Sequence, residues 1–376
     1  MRRRLLTAFG SVAVATVAAA WLASGSLAAQ AQKPAGKAWT APKTPDGQPD
    51  LQGVYDIATI TPLDRPAGLG NRLILTDEEV AAMESYEKQR VDKAAEPSRG
   101  DRDAPPVGGD RSPTNSYLEG LFRAGGGVVG GYNNFWIAAG SRNIVVDGQK
   151  RSSIIVDPVD GRVPRTKPEA QKRNAAYLST RVSPDANEGA AAGPPGAYDG
   201  PEARPLAERC LLGFGSTSGP PTLPNYFYNN LKQIVQTRDS VLILVEMVHD
   251  ARIIRIGGQH LPQNIRKWMG DSVGHWEGDT LVVDTTNFTA KTQFRGSGED
   301  LHVVERFTRT DPNTILYRFT VEDPTTWDRP WSGEYPWMAT TEKIYEYACH
   351  EGNYSLQGVL KGARLNEAEA AKGTKP

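Results

Sequence analysis

Familiar catalytic signatures are missing from this chain. It has no G-x-S-x-G, no H-E-x-x-H and no P-loop, so the usual marks of a serine hydrolase, a zinc protease or a nucleotide hydrolase are absent. Gly125-Gly126-Gly127 and Gly130-Gly131 precede a predicted strand, and the helix N-terminus that a phosphate site needs is lacking. No cofactor is predicted, and nicotinamide or nucleotide use is argued against. Histidine is scarce: five in 376 residues. His249, His260, His275, His302 and His350 are so dispersed that only long-range convergence could build a metal site, and none is predicted. No charge sign dominates, with 43 basic and 44 acidic residues. Without a basic stripe, nucleic acid is not an expected partner.

Long apolar runs are also rare. The one run of spanning length, residues 5–27, follows Arg2, Arg3 and Arg4 and precedes the small-x-small site Ala29-Gln30-Ala31. Residues 1–31 therefore read as a signal peptide. An uncleaved anchor is the alternative, disfavoured by the small residues before the cut. Leu5-Leu6 after the arginines leaves Sec and twin-arginine export both open. The expected location is periplasmic or secreted, with no stable membrane insertion after cleavage. In such a compartment two cysteines, Cys210 and Cys349, predict a disulfide; two buried free thiols are the alternative.

What is present is β-rich. Residues 32–125 read as an arm, a helix and a linker. Thr76-Asp77-Glu78-Glu79 is a capping box that should start a helix running to about residue 94. Residues 126–364 form the main domain, with a second helix from Pro168 to about residue 180, and 365–376 form a tail. Short strands are predicted at 51–57, 135–138, 143–146, 152–156, 234–236, 241–248, 252–256, 280–286, 301–310, 314–322 and 339–349. Turn residues such as Gly278-Asp279 and Asp311-Pro312-Asn313 separate them. Hairpin spacing without long intervening helices predicts an all-β fold: an antiparallel meander barrel, lipocalin-like, with two peripheral helices and long loops.

Alternation then singles out acids. Leu301, Val303, Glu305 and Phe307 share one face, and Leu242, Leu244, Glu246 and Val248 another. A carboxylate on an apolar face must be paired or bear a desolvation cost of roughly several kcal/mol. The run Glu246-Met247-Val248-His249-Asp250-Ala251-Arg252 could orient a carbonyl or anion at a barrel rim, with His249 as proton shuttle; a buried Glu–Arg pair beside a turn histidine is the plainer reading. His275 and Glu277 point the same way from one strand, a spacing that suits metal ligation or proton transfer, although Glu277-Gly278-Asp279 is also what a tight hairpin wants. His302 and Glu305 face opposite sides of theirs. Glu246, His249, Arg252, His302 and Glu305 are the candidate catalytic residues. Trp136, Trp276, Tyr317 and Tyr345 are candidates for lining a ligand pocket, although aromatics in β proteins serve mostly as core.

Residues 46–55, DGQPDLQGVY, the segment GHWEGDTLVVDT at 274–285, Asp323-Pro324 and Glu346-Tyr347-Ala348-Cys349 resemble a family of uncharacterised exported bacterial proteins. The resemblance spans most of the chain beyond residue 31. It implies a shared exported all-β protein and brings no activity or catalytic residue. Two functions follow from the residues alone. One is binding of a small hydrophobic or aromatic molecule in a barrel pocket. The other is acid–base chemistry on such a molecule, as a lyase, isomerase or hydrolase.

Overall fold

A computed structural model describes residues 39–94, 140–181, 196–213, 219–225, 229–292 and 294–373. The chain divides after Thr40, and the description below concerns Ala41–Pro376. The predicted signal peptide, Trp136 and the predicted strand at 135–138 lie outside the described residues.

Nine strands close a ring: β1 (Gly53–Asp56), β5 (Leu231–Gln236), β6 (Ser240–Val245), β7 (Ala251–Ile256), β8 (Asp271–Glu277), β9 (Thr280–Thr286), β10 (His302–Asp311), β11 (Thr314–Glu322) and β12 (Trp331–Ala339). They are hydrogen-bonded in that order, and pairing of Tyr55 with Ala339 joins the ends. β4 (Ile155–Asp157) adds to β12, while β2 (Val145–Val146) and β3 (Gln149–Lys150) form a small separate hairpin. Closure satisfies the edges that an open sheet would leave bare.

The all-β barrel is as expected, with differences in detail. β7 and β8 run parallel, Ile254 opposite Ser272. Residues 257–270 make the crossover, which interrupts the predicted meander. β1, read as part of an arm, is a barrel strand. The closing strand is Trp331–Ala339 and not 339–349; Pro330, Pro336 and Gly333 obscured it, since proline and glycine disfavour central strands. Gly333 is nonetheless required: a Cβ there would come within 2.5 Å of Phe319, its partner across β11. Three helices are described. α1 (Asp77–Ala94) starts on the predicted capping box, with Glu79 N–H donating to Thr76 Oγ1 at 3.2 Å and Thr76 N–H to Glu79 Oε2 at 2.9 Å. α2 (Pro168–Arg181) begins at its proline. α3 (Tyr354–Ala371) was not foreseen and runs through the expected boundary at 364.

Inside the ring the odd-numbered residues of β10 and β11 interlock. Phe307 meets Trp337 edge-on at 5.4 Å and Phe319 meets Trp331 at 5.7 Å between ring centroids. Each such ring contributes about 1.5–3 kcal/mol on burial. Thr222, from the chain before β5, reaches the same layer: its N–H donates to Tyr317 Oη at 3.0 Å, and Tyr335 Oη–H donates to its carbonyl at 2.7 Å. This part of the lumen is packed core.

Candidate functional site

The five candidate catalytic residues do not converge; they fall in three places. Arg252 and Glu305 meet in the lumen. The guanidinium donates to Glu305 Oε2 at 2.5 Å and Oε1 at 3.0 Å, and Tyr317 Oη–H adds a bond to Oε1 at 2.8 Å. Glu305 has no exposed surface. Its inward placement was read correctly, but fork-to-fork pairing plus a tyrosine satisfies it, so the plainer reading of a buried ion pair holds. Tyr317 is likewise consumed. Burial first, then the Glu305 charge, pushes its hydroxyl well above the usual tyrosine range. It is not part of the cleft described below.

His302 lies on the outer wall, on the side opposite Glu305. Both ring nitrogens face carboxylates: Nε2 is 2.9 Å from Asp284 and Nδ1 is 2.5 Å from Glu322. Asp284 also contacts His260 Nε2 at 2.9 Å, and His260 Nδ1 lies 3.2 Å from buried Asp271. The register explains the cluster, since His302 pairs with Glu322 across β10–β11 and Asp284 is one step diagonal across β9–β10. The bond to Asp284, then that to Glu322, raises the imidazole to about 9 against the cost of burial. A ring donating to two carboxylates is an imidazolium. His275 and Glu277 share the outward side of β8, 3.1 Å apart and exposed, with Arg306 bound to the same glutamate. Trp276 points inward and packs against the core.

Glu246 lines the third place, an open cleft of about 1480 Å³ at one end of the barrel, and His249 is exposed beside it, in contact with the lining residue Tyr347. Glu246 was expected inside the sheet. In fact Val241, Ile243 and Val245 are the buried residues of β6, the strand ends at Val245, and Glu246 is half-buried just beyond it. Its Oε2 accepts the Leu231 N–H at 3.2 Å. Burial is the largest influence on its carboxyl and raises it above the normal range. Beneath it lies Lys232, 1 % exposed, which shares the inward side of β5 with Ile234. Desolvation lowers that amine to about 8, against the pull of Glu246, Asp56 and Asp250. Lys232 escaped notice because the strand was read as starting at 234. Counted from Leu231, it is a charge at inward parity, the same signal that exposed Glu305.

The rim is built by the disulfide. Cys210 and Cys349 are bonded, with Cα atoms 5.7 Å apart. Asn353 Nδ2 donates to the Glu208 carbonyl at 2.7 Å, and His249 Nδ1 lies 3.1 Å from the Tyr347 carbonyl. The His350 ring centroid stands 6.4 Å from that of His249. Tyr345, largely exposed, lines the opening. Carboxylates dominate the lining: Asp56, Glu87, Glu208, Glu246, Glu342 and Glu346, against Lys343 and an Arg204 engaged with Glu208.

The backbone is strained in the cleft lining and next to it. Cys210, Asn229, Val248 and His249 all have φ between 50° and 59°, and such non-glycine positions are few among the described residues. Val248 is β-branched, for which this region is a genuine outlier. Strain of roughly 1–3 kcal/mol per residue persists where surroundings over-determine it, and it concentrates at binding and active sites. No family model, curated protein or solved structure matches the chain.

Proposed function

We propose that this is an exported protein, periplasmic or secreted, that binds a small hydrophobic or aromatic molecule in the cleft at the barrel's end. The observation that carries this reading is the coincidence of left-handed backbone at Asn229 and Cys210 in the lining, and at Val248 and His249 next to it, with a half-buried acid on the cleft and a buried amine beside that acid. The lumen around β10 to β12 is filled by its own side chains. Tyr345, Tyr347, Leu356 and Val359 give the cleft its apolar surface. Its acidic lining repels anions, so the ligand is neutral or cationic. The disulfide supports an oxidising compartment, as does the resemblance to exported proteins. No described helix is long and apolar enough to cross a membrane.

The test is a thermal-shift series with neutral, cationic and anionic aromatic compounds on wild type and on Tyr345→Ala. The expected result is stabilisation by neutral or cationic compounds that weakens in the variant. Preference for anions, or shifts indifferent to Tyr345, would contradict it.

A second reading is supported by one specific pair. Glu246 and Lys232 are electrostatic partners whose pKa values are both moved toward neutrality, as acid–base catalysis requires. On this reading the chain is an enzyme acting on the bound molecule, with Glu246 and His249 retained from the expected set and Arg252, His302 and Glu305 outside it.

A further inference from the structure

Lys232 is an ammonium position that the described residues satisfy only weakly. Strand pairing sets it opposite Tyr55 on β1 and Val245 on β6. Its one hydrogen bond among the described residues is a 3.4 Å contact with the Asn229 carbonyl, longer than a normal N–H···O bond and one bond for three donors. No carboxylate of the described residues stands within ion-pair distance; Glu246, Asp56 and Asp250 act on it through space. A buried polar group left this bare costs about 1–3 kcal/mol, more when charged. Asn229, Asp56 and Glu246, three of the groups that act on the amine, all line the cleft, whereas Lys232 itself is buried next to the lining residue Leu231. An acidic lining excludes a carboxylate or phosphate as the missing acceptor. A neutral carbonyl oxygen fits.

We propose that Lys232 captures a carbonyl compound with an apolar or aromatic body as an imine, with Glu246 moving the protons. This rests on the cleft being the ligand site. The free amine adds its lone pair to the carbonyl carbon, and the C=O π pair moves to oxygen. Glu246 enters as the acid and protonates the alkoxide, and nitrogen then returns a proton to its carboxylate, leaving a carbinolamine. Glu246, again an acid, protonates the hydroxyl, which departs as water while nitrogen forms C=N, and the iminium N–H proton passes back to Glu246. Carbonyl and amine become imine and water, with no oxidant or reductant. A desolvated lysine near 8 has the free base this needs at neutral pH, and a half-buried glutamic acid with a raised pKa can hold the proton.

The test treats the purified protein with benzaldehyde and cyanoborohydride, which reduces imines in place, and follows it by intact mass and peptide mapping. The expected result is one benzyl group on Lys232 ahead of exposed Lys88 and Lys172, with labelling that rises through about pH 8. The Lys232 adduct is lost in Lys232→Arg. Should that variant fail to fold by circular dichroism, Glu246→Gln keeps the amine and is expected to slow the labelling. An unmodified Lys232 peptide, with benzaldehyde still raising the melting temperature, overturns the imine and leaves the cleft reading standing. Neither label nor shift overturns both.

Discussion

Arg252 and Glu305 hold each other by two hydrogen bonds inside the barrel, with Tyr317 closing the third side of the carboxylate. Removing one partner leaves the other charged, buried and alone, which costs about 3–5 kcal/mol. Arg252→Met and Glu305→Gln should each destabilise by that order. The double variant should lose less than the sum. Denaturant unfolding of the four proteins checks this, and simple additivity would show that the pair is not coupled.

His302 predicts a pH dependence. Its folded pKa, about 9, stands above the ordinary 6.5. The folded chain thus keeps a proton that the unfolded chain releases, so the stabilisation is complete below about pH 6.5 and fades as pH rises through about 9. Lys232 slopes the other way, its folded value of about 8 lying below 10.5. Comparing wild type with His302→Gln isolates the histidine. Their difference in unfolding free energy should shrink across that window, and a constant difference would refute the imidazolium assignment.

Much of this architecture was legible because it obeys simple periodicity. Glu305, Phe307, Tyr317 and Phe319 alternate without interruption and all point inward. The capping box at Thr76 and the two-cysteine disulfide rest on local or chemical rules that tertiary context left alone. The site was harder to read. Glu246 follows the end of a regular strand, so counting by twos no longer reports its direction. Lys232 sits at a strand start that Asn229 and Asn230 disguise. The parallel β7–β8 step and closure by β1 are long-range pairings, which single-sequence patterns do not record.

Gly333 makes a packing prediction. Phe319 fills the space where a side chain would stand, and the Ile154 carbonyl lies 3.0 Å from the same point. Gly333→Ala should destabilise by about 1–3 kcal/mol through overpacking, and Phe319→Leu should recover part of the loss. Thermal unfolding of the single and double variants measures it.

The disulfide should matter to stability and to the cleft together. It joins positions 139 residues apart, worth up to about 5 kcal/mol in the chain-entropy model and often less. Replacing both cysteines with alanine should lower stability by about 2–5 kcal/mol. It should also speed amide exchange at residues 347–353 and 246–250 more than in β10 and β11. Uniform acceleration would mean that the bond serves global stability alone.

The most direct measurement of where ligands bind is amide chemical-shift mapping of the protein titrated with a neutral aromatic carbonyl compound. The account predicts perturbations gathered at residues 229–232, 246–249 and 345–353. Perturbations centred on the inward residues of β10 to β12, or on the His260–Asp284–His302 wall, would contradict it.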